Sequence, residues 1–275
     1  MSSRRFSAGL ALAAFAALFL LAITAPAHLS DATLEPSMRF ASPSVLPPFG
    51  ADRLGRPLLQ YAQQGAEIVI GPALAAACFV AVLSIAGGLL RCVGDQRVDA
   101  LIQGLGEVLG ALPRMVVILV AALLIPSTSR GLLPLALVWA LLAAPGAMDE
   151  AAAVAERLGG ARFVEALRAH GFSWSRVFLY HIVALNLRPV VVRQAAEVLL
   201  QVTFLELGLS YLAVQGNEAS FTHPDSLKSW ADLLYMGYTA IGLGTPTWHA
   251  LALGLGLVAL TTVIARSTTT AVRAR

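Results

Sequence analysis

Residues 67–90 read EIVIGPALAAACFVAVLSIAGGLL, and the only charged side chain among them is Glu67 at the start. A helix crossing the roughly 30 Å hydrocarbon core of a bilayer needs about 20 largely apolar residues. This stretch meets that requirement alone. Working outward, comparable runs lie near residues 6–25, 101–125, 131–147, 189–214 and 247–265. The polar turn Pro126-Ser127-Thr128-Ser129-Arg130-Gly131 divides two of them, and the run at 189–214 carries Arg193, Glu197 and Glu206. Segments 26–66, 148–188 and 215–246 lie between the runs, each too small for a large core of its own. The expected fold is an all-α integral membrane protein, a single transmembrane domain over residues 1–275 with about six transmembrane helices.

Composition points the same way. The chain is 57% apolar and 13% charged, whereas an ordinary soluble domain is about half apolar and about a quarter charged. A water-soluble enzyme, a disordered chain and a disulfide scaffold are all poor fits. Cys78 and Cys92 are 14 residues apart in one apolar run, which on a helix is roughly 21 Å. A disulfide needs Cα atoms within about 7 Å, so both cysteines read as small core residues. The net charge of +3 does not mark a nucleic-acid binder, because Lys228 is the sole lysine and the arginines are scattered.

Catalytic signatures are absent from the sequence. Lys228 follows no glycine-rich loop, so there is no G-x-x-x-x-G-K-[ST] phosphate cradle. There is no H-E-x-x-H or G-x-S-x-G motif, and the histidines at 28, 170, 181, 223 and 249 lack ligand spacing. The chain is expected to be neither an enzyme nor a holder of a metal or cofactor.

Basic residues orient the spans, since cytoplasmic loops carry the excess. With the N-terminus inside, the inner segments hold Arg4, Arg5, Arg91, Arg97, Arg157, Arg162, Arg168, Arg176, Arg188, Arg266, Arg273 and Arg275. The outer segments hold only Arg39, Arg53, Arg56, Arg130 and Lys228. Both termini are therefore expected in the cytoplasm, with 26–66 and 215–246 as external loops. The first run has two readings: an uncleaved span, or a signal peptide ending near Ala25-Pro26-Ala27. Its length of about 20 residues favours the span.

The inner segment 148–188 is too long for a simple turn. Gly159-Gly160 should break the helix that leaves the membrane. In Arg162-Phe163-Val164-Glu165-Ala166-Leu167-Arg168-Ala169-His170-Gly171, Phe163, Val164 and Leu167 share one helical face, and Gly171 follows basic residues as a stop. Ser173 can then cap a second helix through His181. Two short amphipathic helices joined at a glycine result. They suit either the lipid interface or a cleft on a cytoplasmic partner.

Glu165-Ala166-Leu167-x-x-x-Gly171, with His181-Ile182-Val183 and Pro189 beyond it, resembles the EAA loop of ABC-importer permeases. More narrowly, the chain resembles the C-type permease subunit of the dipeptide/oligopeptide/nickel importer family. Phe49-Gly50-Ala51-Asp52-Arg53-Leu54-Gly55-Arg56 is similar to the segment before that subfamily's second span. Val98-Asp99-Ala100 with Glu107 through Pro113 is similar to its third span, ending in Ala111-Leu112-Pro113. Gly208-Leu209-Ser210-Tyr211-Leu212 and Ser229-Trp230-Ala231-Asp232-Leu233-Leu234 are similar to its later external stretch. The pattern departs from the family at Leu167, at Ala184 in place of a proline, and at Pro57 in place of an acid.

The resemblance implies a type I importer permease in a bacterial inner membrane, with 148–188 as the cytoplasmic coupling loop. Its partners would be a homologous second permease, two cytoplasmic ATPase subunits that bind ATP and Mg, and an extracytoplasmic solute-binding protein. The cargo would be a peptide, nickel or a metal-chelating opine. Glu165, Ala166, Leu167, Arg168, His170 and Gly171 would form the ATPase-coupling element, and Asp52, Gly55, Arg56 and Trp230 an external gate or binding-protein contact. Asp52 and Arg56 can equally be an interfacial turn. Glu107, Glu197 and Glu206 fall near or within spans, where a charge is costly unless paired or hydrated. They would line the path or pair with Arg114 or Arg193. The competing reading is an ion-coupled secondary transporter built around such acids.

Overall fold

The computed structural model describes residues 2–27, 36–93, 96–126, 131–159, 166–167, 169–173, 176–177, 180, 187–216, 220–223, 227–244 and 247–273. The helices are α1 (Ser2–Ile23), α2 (Leu58–Val93), α3 (Gln96–Ala111), α4 (Arg114–Leu124), α5 (Leu132–Gly159), α6 (Arg188–Gly216), α7 (Trp230–Leu243) and α8 (Trp248–Arg273), with a 3₁₀ turn at Pro36–Met38. Among the described residues the only β pairing is an isolated bridge between Ala51 and Pro57. Among the described residues five helices, α1, α2, α5, α6 and α8, are long and apolar enough to cross a membrane, and the bent pair α3–α4 makes a sixth candidate. The chain is a multi-pass membrane protein.

The expected continuous span at 101–125 is instead broken, with α3 and α4 meeting at 81°. Pro113 explains the break. It has no N–H to give, and its ring disfavours helical geometry at the residue before it. The Pro113 carbonyl then starts the new helix by accepting from the N–H groups of Val116 and Val117. Leu101, Leu105, Val108, Met115, Val120 and Leu123 are exposed along this bent pair, an apolar surface suited to lipid.

The α2, α5 and α6 helices form the centre of the bundle. The most extensive packing is between α2 and α5, which run parallel. Ser84 on α2 donates to the Ala147 carbonyl at 2.9 Å. One turn on, Gly88 approaches Ala151 so closely that an added Cβ would lie 2.8 Å from the Ala151 Cβ. Small residues at such a crossing let two backbones share van der Waals contact where lipid offers no hydrophobic drive. Antiparallel to α5, α6 is joined at mid-height by Trp139 Nε1 donating to Gln201 Oε1 at 2.8 Å. α1 packs on α8 and α2, with Leu18 fully buried.

Two expectations change. Cys78 is exposed, not in the core. It shares an outward face of α2 with Leu74 and Val82, both exposed at fourfold spacing. The segment 215–246 is not simply a loop, because its second half is α7, packed along α8 and against α6 and α2. A capping box starts this helix: Ser229 Oγ accepts from Ala231 N at 3.1 Å, and Asp232 Oδ2 accepts from Ser229 N at 2.8 Å. Gly244, in the left-handed region, ends it.

Candidate functional site

The segment 148–188 shows the expected turn at Gly171. Ala166, Leu167 and Ala169 are helical, and His170 N donates to the Ala166 carbonyl at 3.1 Å. Gly171 has φ +85°, and Phe172 N donates back to the Leu167 carbonyl at 3.1 Å. This is a Schellman close, in which a left-handed residue satisfies the last carbonyls of the helix. A side chain at Gly171 would meet no atom within 4 Å, so backbone conformation alone demands the glycine. Ser173 then caps the next turn: its Oγ accepts from Arg176 N at 3.4 Å and its carbonyl from Val177 N at 3.0 Å. The Arg176 guanidinium stacks 5.1 Å from the centre of the Phe172 ring. Ala166, Ala169, His170, Gly171 and Arg176 are exposed while Val177 is buried, so the turn presents an accessible face on an anchored base. Glu165 and Arg168 lie outside the described residues.

The stems of this loop are α5 and α6, and polar side chains tie them together. Arg193 of α6 pairs with Glu150 of α5 and with Glu197 one turn along its own helix at 3.1 Å. Gln194 Nε2 adds a bond to Glu150 Oε2 at 3.1 Å and one to the Ala147 carbonyl at 3.5 Å. That carbonyl also accepts from Ser84, so the cluster joins α2, α5 and α6 at one level. Of the expected pairs, Arg193–Glu197 is present. Glu150 and Gln194 were not anticipated. An Arg–Glu pair at i,i+4 is visible in a sequence, but a partner 43 positions away is fixed only by the helix packing.

At the opposite end, residues 36–57 fold into a compact cap. Phe40 N donates to the Asp52 carbonyl, Ala51 N to the Ala41 carbonyl and Asp52 N to the Arg56 carbonyl. The Asp52 side chain is buried. Its Oδ1 accepts from Leu54 N at 2.7 Å and Arg56 N at 2.8 Å, and its Oδ2 from the Tyr61 hydroxyl at 2.8 Å. Gly55, at φ +83°, turns the chain within this ring of bonds. Within this turn Asp52 and Gly55 are buried and Arg56 is half-buried, with Arg53 as the exposed charge at the tip.

Trp230 is also buried rather than displayed. Its indole rests on Gly65, and Nε1 donates to the Ala62 carbonyl at 3.0 Å. Beside it Gln64, fully buried, donates to the Pro26 carbonyl at 3.1 Å and accepts from Lys228 N at 3.0 Å. The end of α1, the start of α2 and the start of α7 thus meet at one residue.

The three acids in or near spans separate. Glu197 is held by Arg193. Glu206, half a helical turn in register from it, is fully buried, accepts from Ser210 Oγ at 2.8 Å and faces Ser229 and Asp232 at the start of α7. Ser210 continues to Thr222 at 2.8 Å. Glu107 is exposed on α3. The structure does not bring these acids together, and among the described residues no group of His, Cys, Asp and Glu is arranged to hold a metal.

No family model and no curated protein matches the sequence. A solved chain described as "Inward facing conformations of the MetNI methionine ABC transporter" does match in structure, with a TM-score of 0.51 over 79% of this chain and 97% of that one. The chain shares the all-helical fold of that ABC transporter chain. At 19% identity the likeness establishes architecture, not cargo.

Proposed function

We propose that the chain is the membrane-spanning permease subunit of a binding-protein-dependent ABC importer, forming half of a translocation path for peptides or a related small solute. The observation that carries the reading is the shared fold across nearly the whole of the transporter chain. The EAA-like segment supports it, because Gly171 shapes an exposed turn where such a loop is required.

In this reading the basic end of the bundle faces the cytoplasm, and the turn at 166–177 seats in a cleft on one of two ATPase subunits. Those subunits bind ATP and Mg; this chain supplies no nucleotide chemistry. Glu165, Arg168 and His170 provide the polar anchors of the turn. Closure of the ATPases moves the turn, and a moving element can bias the path only if its contacts differ between the two states. The cluster of Glu150, Arg193 and Gln194 makes α5 and α6 answer together. The loop's displacement is then delivered to the span pair as a rigid-body movement. A second, homologous permease completes the path, and the folded cap at 36–57 offers Arg53 and its neighbours to an external solute-binding protein.

The test is purification of the tagged chain from native membranes in mild detergent, with its companions identified and ATPase activity assayed. Recovery of a second permease and P-loop ATPases is expected. A chain that emerges alone and moves solute without ATP would establish the secondary-carrier reading instead.

A further inference from the structure

A cavity of about 560 Å³ opens between α1, α2, α6 and α8. That is ample for a small-molecule site. Its walls are almost wholly apolar, with Phe15, Ala77 and Ile264 contributed by three of the helices. Along α6 the lining runs from Arg188 through Ala195 to Leu199. Eleven residues of helix rise roughly 16 Å, which matches half of the roughly 30 Å hydrocarbon core. The crevice is therefore one leaflet deep. Arg188, which is exposed, ends the α6 lining, and apart from Thr268 the rest of the lining is hydrocarbon.

We infer that this crevice binds one anionic phospholipid, its phosphate on Arg188 and an acyl chain running up α6 toward Leu199. Charge complementarity at one end and a matching apolar length at the other select an amphiphile over a water-soluble solute. Basic pockets between membrane helices at the boundary take anionic lipid headgroups in this way. The inference is independent of the importer reading, since it needs only a membrane-embedded bundle with Arg188 at the boundary.

Native mass spectrometry of the full chain in mild detergent, with phosphatidylglycerol or phosphatidylcholine added, tests it. Wild type should retain one phosphatidylglycerol in preference to phosphatidylcholine. Ala195→Phe fills the crevice and should abolish retention of either lipid. Arg188→Gln, at an exposed position, leaves the fold intact and should lower the preference for phosphatidylglycerol about fivefold, the equivalent of roughly 1 kcal/mol. Three results would overturn the site: undiminished lipid on a folded Ala195→Phe variant, an unchanged preference in Arg188→Gln, or displacement of phosphatidylglycerol by inorganic phosphate alone.

Discussion

Arg193 holds two glutamates, and only one of the two contacts joins separate helices. Glu150 belongs to α5, so its bonds to Arg193 and Gln194 cross between helices. Glu197 belongs to α6, and its bond closes within one helix. The Arg193 and Glu150 side chains retain 23% and 35% of their exposure, which places the pair between the surface and buried limits. Surface pairs contribute about 0–1 kcal/mol, and breaking a buried one costs about 3–5 kcal/mol. For Glu150, with two partners and partial hydration, a coupling of about 1–2 kcal/mol to Arg193 follows. An i,i+4 pair such as Arg193–Glu197 contributes only about 0.3–0.5 kcal/mol. A double-mutant cycle on thermal unfolding in detergent, using Arg193→Ala with Glu150→Ala and again with Glu197→Ala, measures both. In the assembled transporter, Glu150→Ala should also raise the ATP consumed per solute imported, while Glu197→Ala should leave that ratio near wild type. Equal coupling energies for the two glutamates, or an unchanged ratio in Glu150→Ala, would refute the idea that the cluster clamps the loop's stems.

Gly171→Val forces a branched side chain into a left-handed position at about 1–2 kcal/mol; it should uncouple ATP hydrolysis from uptake without blocking membrane insertion, and Gly171→Asn should be milder. Asp52→Ala removes three hydrogen bonds from the cap at 36–57, so limited trypsin should cut after Arg53 in the variant faster than in wild type, with Tyr61→Phe intermediate. Trp230→Ala empties a fully buried site and should cost about 3–5 kcal/mol of stability, read as a lowered melting temperature.

What could be read from the sequence divides by range. The spans were visible because lipid imposes a length and a composition on each helix separately. The Gly171 stop and the Ser173 cap were visible because both act within one turn of chain. Pro113 stood in plain view, yet hydropathy averages across a proline and joins two helices into one run. The α7 helix was missed because its 14 residues are too few for a span. Its signals were nevertheless local: Ser229 and Asp232 at the start, Gly244 at the end. The roles of Asp52 and Trp230 were beyond sequence reasoning, since burial is a property of the assembled bundle. The same holds for Glu150, whose partner is chosen by how α5 and α6 lie together.

Gln64 ties three chain segments together through one buried amide. Where three chain segments converge on one buried amide, their ends cannot slide past one another without breaking bonds that no water replaces. Such a point behaves as a pivot. From Gln64 to the far end of α2 is about 43 Å of helix, so a tilt of ~5° about the pivot sweeps that far end by roughly 4 Å while the near end stays still. Under the proposed importer reading, the rim tied at Gln64 would set the axis of such a movement, and its stroke would be largest at the end of the bundle where the turn at Gly171 stands.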